Sequence, residues 1–540
     1  MAWLLCGVLA AAYLIVKIRV LPPKILFFLF LSLIFSYVLS AAIHGARLEG
    51  WMSAIKPLVI LSLIIALYNA DPDVEETTWV AGLVAAVTGA MAFCGFLPLP
   101  SVMTYGRLHG LFQYANALAL FLAVCALVTR LSEKRTRLVS LMETVLFLTL
   151  SVGGIAVYFG GWLLAYITNR QIRPIFRLQL PSILTAGLCA ALMFVLAHWT
   201  TPYFAVLPPI GLWFIHKPLA HLPKPKWLLW VTTGLAFALT VVLFATRGID
   251  PLLTYVSRLI QMSDGMKALW QNPFGIGPGA WAFEVHTWQS TFYEATQIHS
   301  GFVSAGVDAG WPVLGLCAVL IVWYFRQRPF PKYGAAVGMI LFHALFDISL
   351  SFLSVVLLLG LFVVSERPGW TPNRRFRTAW AIPCLLCLFL AWPQAIKNQA
   401  KWAADEGKYT DAATLLETPL LRRDTQAQLL RLRYALADEQ RGAVDQSLEA
   451  LGDRNTDACY MMALDCLWQG DFNKAAQWIE VYIQSAPYVL SGYTLAEEVM
   501  MKMEEESRDA FSERIDQLKT RALAQMHPWT KYIQSEQGLR

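Results

Sequence analysis

Length, composition and charge indicate that most of this 540-residue chain lies in a lipid bilayer. Hydrophobic residues make up 57% of the sequence and charged residues 15%, and the mean hydropathy of +0.49 is too high for a water-soluble protein. The formal net charge is +6, and the basic residues of the apolar part cluster in short loops, which is the pattern of cytoplasmic loops in membrane proteins. No nucleic-acid partner is therefore expected.

A change of pattern near residue 396 predicts two domains. Apolar runs of roughly 15–20 residues repeat through 1–396, whereas 397–540 is polar with helical periodicity. We predict an all-α protein with a polytopic transmembrane bundle of about 12–14 helices, followed by a soluble helical domain. The apolar segments are placed at 2–16, 25–44, 53–70, 78–97, 112–129, 138–152, 153–167, 181–198, 203–216, 227–246, 302–325, 333–349, 351–365 and 379–396.

The order of charges around these segments predicts the topology. The first segment precedes Lys17 and follows no basic residue, the reverse of a signal peptide, so it is expected to remain as a helix. A single helix over 138–167 would be about 45 Å long against a hydrocarbon core of roughly 30 Å, which favours a break at Gly153-Gly154. With that break the basic loops all fall on the cytoplasmic side. Residues 247–301 and the C-terminal domain are then extracytoplasmic, in a multi-pass protein of the plasma (inner) membrane.

Cysteine and glycine motifs do not predict a metal, disulfide or nucleotide site. The nine cysteines are scattered and lie mostly in apolar segments, where cysteine is a common small core residue. Cys384 and Cys387 have CxxC spacing but fall within a predicted membrane helix, so we interpret them as core residues. The GxGxG over 275–279 follows no strand, which argues against nucleotide binding.

The longest polar interval of the membrane domain, residues 247–301, concentrates side chains that can carry chemistry. Arg247 stands at its start, Arg258 lies on a predicted amphipathic helix over 252–270, and His299 stands at the mouth of the next apolar helix. Imidazole changes its charge near neutral pH, which makes His299 a candidate proton acceptor. Alternatively, His299 is an inert loop histidine, and Arg258 only extends from an interfacial helix to the membrane surface.

Polar residues in or beside apolar segments supply further candidates. Arg107 stands where an outer loop enters a helix, and Asn116 lies one turn inside it, where an amide is costly unless it makes a hydrogen bond. His343 and Asp347 are four residues apart, a spacing that places both on one face of a helix. One interpretation is that these residues support a site. The other is that their role is structural, with Arg107 as an interfacial anchor and the others as buried hydrogen-bonding groups.

Helix pairs are predicted in the C-terminal domain. The segments Trp402-x4-Gly407-Lys408-Tyr409-x2-Ala412 and Leu467-x2-Gly470-Asp471-Phe472-x2-Ala475 resemble the tetratricopeptide pattern, and a weaker third copy covers 437–451. Stacked helix pairs present a concave surface that can bind a protein partner. The alternative is a plain helical cap over the extracytoplasmic site.

Four motifs follow one another in the membrane domain: Arg107-x2-Gly110-x5-Asn116-x2-Ala119, Arg258 ahead of Asn272-Pro273-x-Gly275-x-Gly277, His299-Ser300-Gly301-Phe302 with Gly306, Gly310 and Gly315, and His343-x3-Asp347. Together and in this order they resemble the motifs of the O-antigen ligase and O-antigen polymerase family of membrane glycosyltransferases, over residues 100–365. One departure is Ser151-Val152-Gly153, where members often carry Ser-Arg-Gly, and Arg247 is the candidate replacement for the missing arginine.

The resemblance implies a GT-C-like bundle that transfers a glycan from an undecaprenyl-diphosphate carrier to an acceptor hydroxyl on a glycan, lipid or protein, at the outer face of the plasma membrane. It implies an inverting reaction that needs no metal, nucleotide or other cofactor. Guanidinium groups bind phosphate oxygens in paired hydrogen bonds, so Arg107, Arg258 and Arg247 are assigned to the diphosphate. His299 is assigned as the catalytic base. Supporting roles are expected for Asn116, His343 and Asp347.

Several functions remain open at this point. A ligase moves a finished glycan to its acceptor, whereas a polymerase of the same family joins repeat units, and the sequence does not separate the two. A lipid-linked glycan transporter or flippase would instead require charged residues buried mid-helix and a matching pair of broken helices. A membrane scaffold without enzymatic activity would only display the C-terminal repeats.

Overall fold

The computed structural model describes residues 2–44, 48–97, 103–104, 107–132, 136–168, 172–211, 251–293, 295–326, 332–365, 369–372, 376–452 and 455–526. Within these residues the protein is all-α, apart from a two-stranded hairpin (β1, Met103–Thr104; β2, Arg107–Leu108) and one isolated bridge. The predicted apolar segment 227–246, residues 212–216 of the predicted segment 203–216, and Arg247 lie outside the described residues.

Helices occupy the predicted apolar segments wherever these are described. Five helical stretches are long and apolar enough to cross a membrane, namely Lys24–Ile43, Leu48–Ala70, Val74–Phe93, Gly301–Phe325 and Ala381–Asp405. In chain order the helices are α1 (Ala2–Lys17), α2 (Lys24–Ile43), α3 (Leu48–Ala54), α4 (Lys56–Ala70), α5 (Val74–Phe93), α6 (Ala115–Leu131), α7 (Thr136–Leu148), α8 (Val152–Thr168), α9 (Ile172–Trp199), α10 (Pro251–Gln271), α11 (Trp281–Trp288), α12 (Gly301–Phe325), α13 (Gly334–Ala344), α14 (Leu353–Ser365), α15 (Phe376–Ala379) and α16 (Ala381–Asp405).

The most deeply buried element is α6, in which every residue from Ala115 to Arg130 is buried. At its C-terminal end the guanidinium of Arg130 donates to the carboxylate of Glu143 on α7, with Nε 3.0 Å from Oε1. The hydroxyl of Tyr158 on α8 donates to the same carboxylate. A buried charge is strongly destabilising unless it is paired, so this cluster fixes α6 against α7 and α8.

The predicted break between α7 and α8 is present, but it lies before the glycines. α7 ends at Leu148, Leu150 adopts a positive φ of 49°, and α8 begins at Val152. Ser151 starts the new helix, since its Oγ accepts from the Gly154 amide at 3.2 Å. The prediction of a break at Gly153-Gly154 is therefore wrong in position: a Cβ on Gly154 would lie 2.3 Å from that of Ala119, so this glycine serves close helix packing.

A second interruption occurs inside α12, at Ala309 and Gly310. The turn after α10 fills it: the Trp311 amide donates to the Pro273 carbonyl at 3.0 Å, and the Ile276 amide donates to the Val307 carbonyl at 2.8 Å. The polar interval that precedes α12 is thus fixed to that helix by backbone hydrogen bonds. The predicted amphipathic helix over 252–270 is confirmed as α10, Pro251–Gln271.

The C-terminal part consists of further helices, and α16 runs without interruption across the predicted domain boundary at 396. On its far side Lys397 is buried, and its ammonium group contacts the carboxylate of Asp424 at 2.9 Å. The remaining helices are α17 (Tyr409–Leu415), α18 (Thr425–Ala437), α19 (Arg441–Leu451), α20 (Thr456–Trp468), α21 (Phe472–Ser485), α22 (Leu490–Met500) and α23 (Glu505–Gln525).

Three helix pairs in this part share one turn geometry. The turn residue is left-handed in each case, with φ of 77° at Gly407, 53° at Glu439 and 80° at Gly470. In every turn the amide of the residue after it donates to the carbonyl five residues earlier in the chain, as in a Schellman motif. The three bonds are Lys408 N to Ala403 O, Gln440 N to Ala435 O and Asp471 N to Cys466 O, each 2.9 Å. The weak third sequence repeat therefore has the same turn as the other two, with glutamate in place of glycine.

Replacing Glu439 with Gly should stabilise the protein, because a side chain in the left-handed region costs roughly 1–2 kcal/mol and glycine avoids part of that cost. We expect a higher melting temperature for the purified full chain in detergent, with Glu439→Ala as the matched control. Alanine removes the negative charge near Asp465 but keeps the Cβ. Equal shifts in the two variants would assign the gain to charge and contradict the backbone explanation.

Candidate functional site

Most of the predicted site residues meet at one cavity of about 180 Å³. The N-terminal ends of α6 and α8, the first half of α10 and the C-terminal end of α13 surround it. Hairpin strand β2 adds the side chain of Arg107. Five predicted residues line this cavity: Arg107, Asn116, Arg258, His343 and Asp347.

The carboxylate of Asp347 is the centre of the hydrogen-bond network. Its Oδ2 accepts from the Tyr114 hydroxyl at 2.8 Å, from Asn116 Nδ2 at 2.8 Å and from Arg258 Nη1 at 3.0 Å. The side chain is only 2% exposed. Three donors, one of them charged, compensate the cost of burying this carboxylate.

Asn116 connects the carboxylate to the other arginine. Its Oδ1 accepts from Arg107 Nη2 at 2.5 Å and from the Ser151 hydroxyl at 2.8 Å. Arg107 Nε also donates to the Thr149 carbonyl at 3.3 Å. The amide predicted to need a partner inside α6 therefore has several, and through them it holds the hairpin and the α7–α8 break beside Asp347.

Arg258 reaches the same centre from α10. Besides Asp347, its guanidinium donates to the Phe346 carbonyl at 3.2 Å and lies 3.4 Å from the Tyr114 hydroxyl. The side chain is 17% exposed, and it lines the cavity. Two guanidinium groups and one carboxylate leave an excess of positive charge there, which suits an anionic ligand with phosphate-like oxygens.

Tyr114 was not predicted as a site residue. Its ring stacks on Phe352 with centroids 5.5 Å apart. Its hydroxyl donates to the Asp347 carboxylate, which can only accept. The sequence could have indicated Tyr114 by its position, because it is a hydroxyl-bearing residue two places before Asn116 and immediately before α6.

The prediction that His343 and Asp347 lie on the same face of one helix is wrong. α13 ends at Ala344, so the two residues are not on consecutive turns of one helix. They are linked through Ser349 instead, whose Oγ lies 2.5 Å from His343 Nδ1 and 3.5 Å from Asp347 Oδ1. Ser349 begins a short 3-10 helix and is a second residue that spacing did not reveal.

His299 lies beside this network, just before α12. The Ser300 hydroxyl caps that helix by accepting from the Val303 amide, and the Gly301 amide donates to the Asp347 carbonyl at 3.1 Å. Nδ1 of His299 is buried without a hydrogen-bond partner among the described residues. Burial and the charge of Arg258 lower the pKa of His299 to about 4, against an opposing effect of Asp347. The imidazole is therefore neutral at pH 7 and able to accept a proton.

Two predicted features are not part of this arrangement. Arg247 falls outside the described residues, and His299 is not among the described residues that line the cavity. Val152, which stands where the resembling family often has arginine, does line it and makes that part of the wall apolar. No group of three or more His, Cys, Asp or Glu side chains is placed to hold a metal ion within the described part of the chain.

No protein-family model matches the chain, and a search of the curated proteins found no significant match.

Proposed function

We propose that the protein is a membrane glycosyltransferase that moves a glycan from an undecaprenyl-diphosphate carrier to an acceptor hydroxyl. The observation that supports this most strongly is the cavity lined by both Arg107 and Arg258, where Asp347 holds Arg258 directly and Asn116 links Asp347 to Arg107, with a neutral His299 alongside. A diphosphate leaving group needs paired guanidinium donors, and a hydroxyl nucleophile needs a base.

In the proposed reaction the acceptor oxygen attacks the anomeric carbon of the donor sugar. The bond from that carbon to the diphosphate breaks, and its electron pair leaves with the phosphate oxygen, next to Arg107 and Arg258, which stabilise the developing charge. The acceptor proton passes to His299. This is a single displacement, so it inverts the configuration at the anomeric carbon and uses no metal or other cofactor.

Asp347 orients Arg258 in this scheme and is not assigned as the base, because its Oδ2 already accepts three hydrogen bonds. Asn116 orients Arg107 in the same way. His343 supports Asp347 through Ser349. These supporting groups matter because a misplacement of about 1 Å can cost roughly 100-fold in rate.

The proposal extends to architecture and location. Residues 1–396 form a polytopic, GT-C-like bundle in the plasma (inner) membrane, and residues 397–540 form a tetratricopeptide-like domain. The site and that domain face the extracytoplasmic side. Supporting this are five membrane-length apolar helices and three helix pairs with the same turn. A concave helical-repeat surface would also suit a protein partner.

A lipid-linked glycan transporter is the second candidate. A transporter of this kind is expected to have a pair of interrupted helices. Among the described residues the chain is interrupted between α7 and α8 and, within α12, at Ala309-Gly310. Incubating purified protein with undecaprenyl-diphosphate-linked oligosaccharide separates the candidates. A ladder of products identifies a polymerase, a single transferred product identifies a ligase, and intact donor that changes leaflet in proteoliposomes identifies a transporter.

Replacing His299 with Ala should reduce transfer by about 10²- to 10⁴-fold, the usual contribution of a positioned general base. The variant should still insert and melt like the wild type, since no described residue makes a hydrogen bond to the His299 Nδ1 that the change would remove. Product formation from the lipid-linked donor is the measurement, repeated with added imidazole, which should partly restore the rate. Transfer within twofold of wild type would rule out the role of base.

The pH dependence should show a base with a depressed pKa. His299 acts only when neutral, and the neutral form is lost as pH falls through the pKa of about 4 in the unliganded protein. The acid limb of kcat/KM should therefore lie near pH 4. In the pH profile of kcat the acid limb should lie at higher pH, because the negative charge of a bound diphosphate favours the imidazolium and so raises the pKa of His299. An acid limb of kcat/KM at pH 6.5 or above would contradict this assignment.

A further inference from the structure

A second and much larger cavity, of about 1680 Å³, separates the polar interval before α12 from the C-terminal helices. Pockets for small molecules usually measure about 300–1,000 Å³, so this cleft has room for an extended ligand. One wall comes from α10, the turn over 276–280, α11 and the start of the following loop, with residues at the end of α2 and in α3 beside it. The other wall comes from α21, the turn after it and α23, with the ends of α18, α19 and α20. Among the lining residues are Lys267, Phe283, His286, Gln484, Tyr488 and Gln525.

The two walls are held together at the base of the cleft. Phe292 is only 6% exposed and packs in the core of the C-terminal helices. Its ring centroid lies 5.6 Å from that of Tyr488 and 6.3 Å from that of Tyr493. On the other side of the same loop, buried Asp264 of α10 accepts from the Ser290 amide at 3.1 Å and from the Tyr293 hydroxyl at 2.9 Å. The loop is therefore fixed to both walls.

The lining chemistry fits a neutral, hydroxyl-rich ligand. Gln484 and Gln525 are exposed amides, and an amide both donates and accepts hydrogen bonds. Among the described lining residues the acidic and basic side chains are Glu49, Lys267 and Glu284, beside the two histidines His44 and His286, and burial raises the pKa of Glu49 to about 7. Nucleic acids and other polyanions need a strongly basic groove, and lipid chains need an apolar one. Aromatic rings beside amides offer both an apolar face and hydrogen bonds, as a sugar ring requires.

The cleft also lies close to the candidate site. Helix α10 carries Arg258 in the site and Lys267 in the cleft, nine residues apart, which is about 13.5 Å along the helix axis. The loop that lines the cleft at Gln289 and Ser290 leads along the chain to His299. Nine residues turn an α-helix through about 900°, so Arg258 and Lys267 lie on opposite faces of α10. A glycan chain that starts beside Arg258 therefore reaches the cleft by passing around α10.

We propose that this cleft binds a neutral carbohydrate chain, namely the sugars of the glycan that lie beyond the reacting one. The assignment rests on the proposed function. The chain can belong to the lipid-linked donor or to a glycan acceptor, and both present the same chemistry to the cleft.

Binding can be measured without transfer, on the purified full chain in detergent. The probes are oligosaccharide fragments prepared by partial hydrolysis of the source cell's own surface polysaccharide, and the same oligosaccharide linked to undecaprenyl diphosphate. The test variant is Gln484→Ala with Gln525→Ala. The control is Gln477→Ala with Gln517→Ala, which changes exposed glutamines on the same two helices outside the cleft.

The cleft variant should bind the free oligosaccharide about 10-fold more weakly, while the control binds like wild type. If only the lipid-linked probe shows this loss, the cleft holds the donor glycan; if the free fragment shows it too, the cleft recognises the sugars themselves, in a donor or an acceptor glycan. Equal affinity of the cleft variant and the control for both probes would overturn the assignment. Saccharide binding that depends on the glutamines, without any transfer by wild type, would contradict the proposed enzyme and leave the cleft site standing.

Discussion

The buried carboxylate of Asp347 is the constraint on which the site depends. Its Oδ2 accepts three hydrogen bonds from two other stretches of chain: Tyr114 and Asn116 at the start of α6, and Arg258 on α10. Its backbone carbonyl accepts the first amide of α12. Because an unpaired buried carboxylate is so costly, satisfying this one group draws the arginine and the loop that carries His299 to the same place.

The rest of the apolar part makes this arrangement rigid. Helix α6 is buried along its length, with Asn116 in the site at one end and Arg130 paired with Glu143 at the other. The turn after α10 is bonded into the interruption of α12, and Phe292 anchors the following loop among the C-terminal helices. His299 is thus held by fixed neighbours on both sides along the chain, which is what a preorganised reaction centre requires.

Sequence reasoning succeeded where a property belongs to one segment. Hydropathy and length placed the helices, and amphipathicity placed α10. The cost of an amide in an apolar helix pointed to Asn116. Sequence reasoning failed for contacts between distant parts of the chain. Tyr114 and Asp347 are 233 residues apart, and no local pattern specifies their contact. The same holds for Gly154, whose packing against Ala119 depends on how α8 approaches α6.

The central claim is that the cavity around Arg258 binds the diphosphate of a polyprenyl carrier. Its most direct test is the dissociation constant of undecaprenyl diphosphate, measured for the wild type, for Arg258→Gln and for Arg326→Gln, which removes the same charge at the far end of α12. Loss of one charge-assisted bond of about 1.5–3 kcal/mol should weaken binding to Arg258→Gln by about 10- to 100-fold, and Arg326→Gln should match the wild type. Equal affinity in all three proteins would contradict the account.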